Sequence, residues 1–202
     1  MTILPLDGDM LEHLKKYHVI LASNSPRRRE LLAGLGIDFE VHTLQGIDES
    51  WPDTLQGEDI PNHISRKKAE AYLPTLADDE LLITADTIVY LDRQVLGKPK
   101  DAADAKAMLR MLAGRTHEVI TGVTIATQAK QTTFAVTSLV TFADLTDGEI
   151  DHYVEHYKPF DKAGAYGIQE WIGYIGVTRL EGSYFNVMGL PVQRLYTELR
   201  RF

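Results

Sequence analysis

The sequence predicts an α/β fold built around a mixed β-sheet, and three patterns predict it. In the first hundred residues short apolar strands alternate with helical stretches, as at Val19–Ala22 followed by a helix from Pro26. Two long β segments, roughly 117–127 and 132–143, then run back to back, with a polar connection around Gln128 to Gln131. The chain has 202 residues, 44% hydrophobic and 25% charged, which is enough to bury a real core. The expectation is a single domain over 1–202 (one large unit or two closely joined lobes), with residues 1–17 as an N-terminal extension.

In chain order, Met10, Leu11 and Leu14 suggest a short helix that packs on the body. Strand 19–22 follows, then a polar loop and a helix over 26–35. Ser25 is a natural N-cap, Pro26 suits the first helical position, and Gly36 suits a left-handed C-terminal residue. An extended piece, Asp38 to Thr43, leads to a loop from Gln45 to Gly57 that carries Asp48, Glu49 and Trp51. A second helix is expected from about Pro61 to Tyr72, with Ile60, Ile64, Lys68 and Ala71 on one face. Leu81–Ala85 reads as a buried strand with Asp86 at its end. Residues 88–91 and 95–96, around Asp92-Arg93-Gln94, read as a hairpin. Asp101 opens a helix through Ala105, Met108, Leu109 and Leu112, closed by Gly114. Thr146 and Glu149 form a capping-box pattern for a helix with Ile150, Tyr153, Val154 and Tyr157 inward. Pro159 to Gly173 is read as loop, 174–185 as one or two strands, and Pro191 as the start of a terminal helix.

Composition narrows the function. Cysteine is absent, which removes disulfides, thiolate catalysis and zinc–thiolate sites and fits a reducing compartment. No apolar run approaches the roughly 20 residues of a membrane span. The start, MTILPLDGDM, lacks the basic region of a signal peptide, so a cytoplasmic location is expected. A net charge of −8 argues against broad nucleic-acid binding. It also makes Arg27, Arg28 and Arg29 stand out. Three arginines in a helix's first turn oppose the helix dipole, and an anion such as phosphate would neutralise them.

Other residues fit a site for such an anion. Asp86, after an apolar strand, is placed to bind a divalent metal, to orient a water, or simply to cap the turn that follows. Glu49, on an acidic loop, reads by local pattern as a solvated charge, with a second site carboxylate as the alternative. Lys68 lies on or beside a buried helical stripe, facing a pocket or snorkelling to the rim. Lys98, in Gly97-Lys98-Pro99, is a point charge suited to phosphate. In Asp161–Gln169, small residues around Tyr166 permit close backbone approach, and Gln169 has the donor and acceptor needed to read a base edge. Several alternatives lack their parts: there is no P-loop, no dinucleotide-binding glycine motif after a strand and no nucleophile elbow. His152 and His156 share helical spacing but lack the rest of a zinc motif.

Together these blocks resemble the Maf family of nucleoside triphosphate pyrophosphatases. The likeness is carried by Leu21-Ala-Ser-Asn-Ser-Pro-Arg-Arg28, Lys68-Ala69, Ala85-Asp86-Thr87-Ile-Val and Leu96-Gly-Lys-Pro99. It continues through Asp161-Lys-Ala-Gly-Ala-Tyr-Gly-Ile-Gln169, Gly182-Ser-Tyr and Val187-Met-Gly-Leu-Pro191. The resemblance implies two lobes around an active-site cleft, as in Maf and ITPase-like folds. It implies hydrolysis of a nucleoside triphosphate to the monophosphate and pyrophosphate, with Mg²⁺ or Mn²⁺ held by Asp86 and Glu49. Asp86 then matches the catalytic carboxylate, with Glu49, Lys68 and Lys98 as its catalytic companions. Ser23, Arg27 and Arg28 match substrate-binding positions. Arg27, Thr87 and Gln169 match the subgroup acting on dTTP and UTP, with modified pyrimidine nucleotides as further candidates. One departure is Glu170, where the family usually has glycine. The alternative that the resemblance carries is a nucleotide-binding regulator of septum formation and cell division without turnover. The expected partners are a nucleoside triphosphate and, from the apolar segments at 117–143, a second copy of the chain; no nucleic acid and no membrane are expected.

Overall fold

The computed structural model describes residues 11–202, so Met10 of the expected first helix lies outside the described residues. A 3-10 turn at Glu12–Lys16 buries Leu14 and leads into strand β1, His18–Leu21. The proline-capped helix α1, Pro26–Ala33, follows with the cap read from sequence: the Ser25 side chain accepts from the Arg28 N–H. The helix stops two residues sooner than expected. Gly34 caps it in right-handed geometry, and the left-handed turn comes at Gly36, with φ of 71°. Of the extended piece at 38–43 only β2, Glu40–Val41, is a strand.

Helix α2, Asp59–Tyr72, buries Ile60, Ile64, Ser65, Ala69 and Tyr72. Ala71 is exposed, so the apolar stripe closes through Tyr72 instead. Strand β3 corrects the sequence reading most. It runs unbroken over Glu80–Leu91, and Asp86 sits in its middle rather than at its end. Polar residues at 84, 86 and 87 interrupt its apolar run, which is why the pattern reads as two pieces. The hairpin to β4, Gln94–Leu96, turns on two residues only, Asp92 and Arg93, with φ of 49° and 66°. Paired left-handed residues are what a tight hairpin between right-twisted strands requires.

Asp101 caps α3, Ala102–Leu112, and β5 (Thr116–Ala126) and β6 (Gln131–Phe142) form the long antiparallel pair. Both halves of the Thr146–Glu149 capping box hold α4, Asp147–Tyr157. The final third departs from expectation. A 3-10 turn spans Ala163–Ala165, and helix α5, Trp171–Gly176, begins inside the supposed loop. Only β7, Val177–Glu181, remains of the strands expected over 174–185, and α6 (Tyr184–Met188) follows, capped by Ser183. Gly173 explains the early helix: a Cβ there would lie 1.8 Å from the Ile168 carbonyl oxygen, so glycine lets α5 fold back onto the preceding loop. Helix α7, Val192–Leu199, ends the chain.

The sheet has seven strands in the order β2-β1-β3-β5-β6-β7, with β4 also on β3. β2 and β1 run parallel to β3 and the remaining pairs are antiparallel, so the sheet is mixed as predicted. Strand β3 threads two main cores. Leu81, Ile83 and Ala85 pack with Leu21, Leu32 and Leu195, whereas Val89 and Leu91 pack with Leu109, Phe142 and Tyr153. Its opposite face meets α2, through Leu82 with Ala69 and through Ile88 and Tyr90 with Ile60 and Ile64. β5 is covered on both faces within the chain, so its apolar run needs no second copy to bury it.

β5 occupies one edge of β3 over residues 82–90. The other edge is shared by β1, paired to residues 80–83, and β4, paired to residues 89–91. Residues 84–88 between them have no strand partner on that edge. β1 cannot extend into the gap because the chain turns away at Ser23–Pro26.

Gly122, opposite Asp86 on β5, lets α2 press against the sheet: a Cβ there would sit 2.4 Å from the Pro61 carbonyl. Gly122→Ala is expected to lower stability in urea unfolding by about 2 kcal/mol, as overpacking does. Gly148→Ala, in open space on α4, is the control and should change little. Unchanged stability of Gly122→Ala would contradict the close approach.

His117 is buried and its Nε2 lies 2.7 Å from the Tyr166 hydroxyl. Burial pushes its imidazole down to about 4. The unfolded histidine titrates near 6.5, so below that pH the unfolded state takes up the proton first. Stability is therefore lost as pH falls from about 6.5 toward about 4, by on the order of 3 kcal/mol. His117→Gln should flatten this slope in denaturation measured at pH 7, 5 and 4; an unaltered slope would contradict it.

Candidate functional site

The gap in β3 joins the two faces of the sheet. Adjacent residues of a strand point to opposite faces, so Asp86 faces α2 while Thr87 faces α1 and α6. With no strand on the edge opposite β5, both reach one cleft of about 640 Å³.

On the α2 face, Lys68 donates to Asp86 Oδ1 at 2.9 Å and lies 3.0 Å from Glu49 Oε1. The Lys68 and Asp86 side chains are only 13% and 14% exposed, so this pair is far less screened than a surface pair. Glu49 arrives from the 45–57 loop, which Lys67 holds by bonds to Asp48 (2.7 Å) and the Ser50 carbonyl (3.2 Å). Between the alternatives for Lys68, snorkelling or facing a pocket, the geometry selects the pocket.

On the other face stands the arginine turn. Ser23 Oγ accepts from the Ser25 N–H at 3.2 Å, which tightens the loop before the helix. Arg27 pairs with Asp161 at 3.1 Å, and Arg29 turns outward to the Asn24 carbonyl. Arg28 is the brace of the gap. Its Nε donates to the Gly189 carbonyl (2.8 Å), and its terminal nitrogens donate to the Ala85 carbonyl (2.8 Å) and Thr87 Oγ1 (3.1 Å). A guanidinium thus takes the place of the missing strand on β3. Burial lowers its pKa from the ordinary value, and the Asp86 charge opposes that shift. Of five N–H donors, three are used within the protein. The first-turn charge is therefore partly answered by carbonyls and by the Asp161 carboxylate.

Lys98 and the 161–170 segment close the cleft. Lys98 is exposed and makes no hydrogen bond or ion pair with another described residue. Lys162 is buried between Asp161 (2.8 Å) and Glu170 (3.1 Å). Burial tends to raise the Asp161 pKa, but bonds from Lys162 and then Arg27 outweigh it and hold the carboxyl below its usual value. Gln169 lines the cleft with its Oε1 buried and without a protein partner. Such an atom is costly to leave unpaired, and a ligand donor would satisfy it.

Ser23, Arg27, Arg28, Glu49, Lys68, Asp86, Thr87, Lys98 and Gln169 all line this cleft. Residues that the sequence reading did not place there are Asp161, Lys162 and Gly189. Their signal was available only as small or charged residues within blocks already noted.

The cleft lies on the open edge of the α/β sheet and is ringed by cations, which suits an anionic ligand. The family model described as "Maf-like protein" matches residues 18–202, and the chain belongs to that family. It is 62% identical over 192 residues to the dTTP/UTP pyrophosphatase of Phocaeicola vulgatus, covering 95% of this chain and 100% of the relative. It is 61% identical over 193 residues to that of Parabacteroides distasonis, covering 96% and 100%. The relative of the same name from Flavobacterium johnsoniae is 48% identical over 188 residues, covering 93% and 96%. Among solved structures, a HAM1 protein from Coxiella burnetii matches at 12% identity with a TM-score of 0.47, covering 92% of this chain and 100% of that one. No helix among the described residues is long and apolar enough to cross a membrane.

The brace at Arg28 is testable by stability. Arg28→Lys keeps the charge but cannot reach three acceptors at once, so unfolding free energy should fall by about 2 kcal/mol. Equal stability in urea titration would show that the three-way bridge contributes little.

Proposed function

We propose that this chain hydrolyses dTTP and UTP to the nucleoside monophosphate and pyrophosphate, with water attacking the α-phosphorus. The reading rests on the names of its relatives and, above all, on the Lys68–Asp86 pair set within one cleft beside Arg27, Lys98 and Gln169. Lys68 holds Asp86 Oδ1, leaving Oδ2 to accept a proton from water. As the new P–O bond forms, the bridging bond to the β-phosphate breaks, and the electron pair leaves on pyrophosphate. Arg27, the two uncommitted donors of Arg28, and Lys98 lie where negative charge grows on that leaving group. Ser23 shapes the loop that presents them. Thr87 and Gln169 face the nucleoside, and the Gln169 Oε1 suits the N3–H of uracil or thymine.

The donor set fits a divalent cation. The Lys68 ammonium bridges Glu49 Oε1 and Asp86 Oδ1, so the two carboxylates lie close together, and their other oxygens, completed by substrate phosphates and water, are of the kind that Mg²⁺ and Mn²⁺ accept. Among the described residues no group of three metal-binding side chains occurs, so the substrate would supply part of the shell. Bound there, such a metal would neutralise phosphate charge and make a coordinated water more acidic. A cysteine-free acidic chain acting on free nucleotides fits a cytoplasmic setting.

Asp86→Asn should keep the fold and lose at least about a hundredfold in pyrophosphate release from dTTP and UTP, the scale of a lost general base. Retained turnover would remove Asp86 from the chemistry. A regulator without turnover would instead bind UTP and release no pyrophosphate with or without metal.

A further inference from the structure

Glu170 closes and ties down the turn that carries Gln169. The Glu170 N–H donates to the Gly167 carbonyl at 2.9 Å, closing a tight turn, Gly167-Ile168-Gln169-Glu170, with Gln169 at its corner. Both ends of this turn are tied to one phenol. The Gly167 N–H donates to the Tyr153 hydroxyl at 3.0 Å, and that hydroxyl donates to the Glu170 carboxylate. The directions are self-consistent, because a phenol has one proton to give and lone pairs to accept with. The other oxygen of Glu170 meets Lys162, which also holds Asp161, the partner of Arg27.

Tyr153 is fully buried on α4, so the anchor is rigid. Burial raises its pKa, with the Glu170 bond and charge adding to the shift, so it stays a neutral hydroxyl. Gly167 leaves the space in which the side chains meet. A Cβ there would fall 3.0 Å from Gln169 Nε2, 3.0 Å from Glu170 Cδ and 3.1 Å from Lys162 Cε.

We propose that Tyr153 and Glu170 are positioning residues that fix the turn bearing Gln169 and so set discrimination between uracil-type bases and cytosine. The chemistry requires such control. Uracil and thymine present a donor at N3 beside an acceptor at position 4, whereas cytosine presents an acceptor at N3 beside a donor. A primary amide can satisfy either pattern by flipping. Selectivity therefore depends on holding Gln169 in one place and one orientation, which demands a rigid support beneath it. Glycine at 170 would leave the Tyr153 hydroxyl and Lys162 without this carboxylate.

The proposal rests on Gln169 as the base reader, and the test separates the two. Steady-state kinetics with UTP, dTTP and CTP would be measured for the unaltered protein and for Gln169→Ala, Tyr153→Phe, Glu170→Gln and Glu170→Ala. Tyr153→Phe should raise KM for UTP and dTTP about tenfold, the scale of one or two lost hydrogen bonds, while kcat changes little. The UTP-to-CTP ratio of kcat/KM should fall by a similar factor. Glu170→Ala should behave like Tyr153→Phe, and Glu170→Gln, which still accepts from the phenol, should recover part of the ratio. If Gln169→Ala lowers the ratio while Tyr153→Phe and Glu170→Ala do not, the positioning role is overturned and base reading stands. If Gln169→Ala itself leaves the ratio unchanged, both are overturned. A fall in kcat with KM and ratio unchanged would also overturn it, since that is general loosening rather than base positioning. Should Tyr153→Phe not fold, the two Glu170 variants alone decide the matter.

Discussion

The site depends on five residues of β3, 84–88, that have a strand on one edge, β5, and none on the other. A sheet edge left open exposes backbone groups that must be satisfied elsewhere, and here Arg28 takes up the Ala85 carbonyl while binding Thr87 and Gly189. That guanidinium does structural work and charge work together. It bridges β3 to the turn after α6, and it leaves cationic donors at the rim of the same opening. Because the edge is open, Asp86 and Thr87 can serve one cavity from opposite faces of one sheet. A continuous sheet would separate them.

Electrostatics follow from this geometry. A chain with net charge −8 gathers Arg27, Arg28, Lys68 and Lys98 around one cleft, with only part of their charge met by Asp86, Glu49 and Asp161. Lys68 is the most constrained of them, since it stands between two carboxylates at about equal distance. The arrangement orients Asp86 without filling both its oxygens. Gly122 lets the start of α2, the helix that carries Lys68, lie close on β5.

Much of this was legible in the sequence, and for physical reasons. The caps at Ser25, Asp101 and Thr146 are local chemistry, so they could be read directly and are found as read. The mixed sheet followed from runs of apolar residues. Arg27, Arg28 and Lys68 are marked by charge out of place, since a lysine on a buried stripe or arginines at a helix N-terminus are conspicuous without coordinates, whereas Ser23 and Thr87 come only from the family resemblance. What stayed hidden depends on tertiary contact. Asp86 looked like a strand end because Thr84, Asp86 and Thr87 interrupt the apolar run, although the strand continues to Leu91. Helix α5 was hidden by glycines that read as loop, when Gly173 in fact permits the helix to pack on Ile168. The tie from Tyr153 to the Gln169 turn spans separate elements, and Tyr153 by periodicity was only a core residue. Glu170 was noticed as a departure, but its partners could not be inferred.

The central claim is that this cleft directs water onto the α-phosphorus of a pyrimidine nucleoside triphosphate. Hydrolysis of UTP in heavy-oxygen water, followed by mass spectrometry of both products, tests it most directly. The account predicts one labelled oxygen in the uridine monophosphate and none in the pyrophosphate. Label in the pyrophosphate, or release of orthophosphate with uridine diphosphate, would place the attack at another phosphorus and contradict the account.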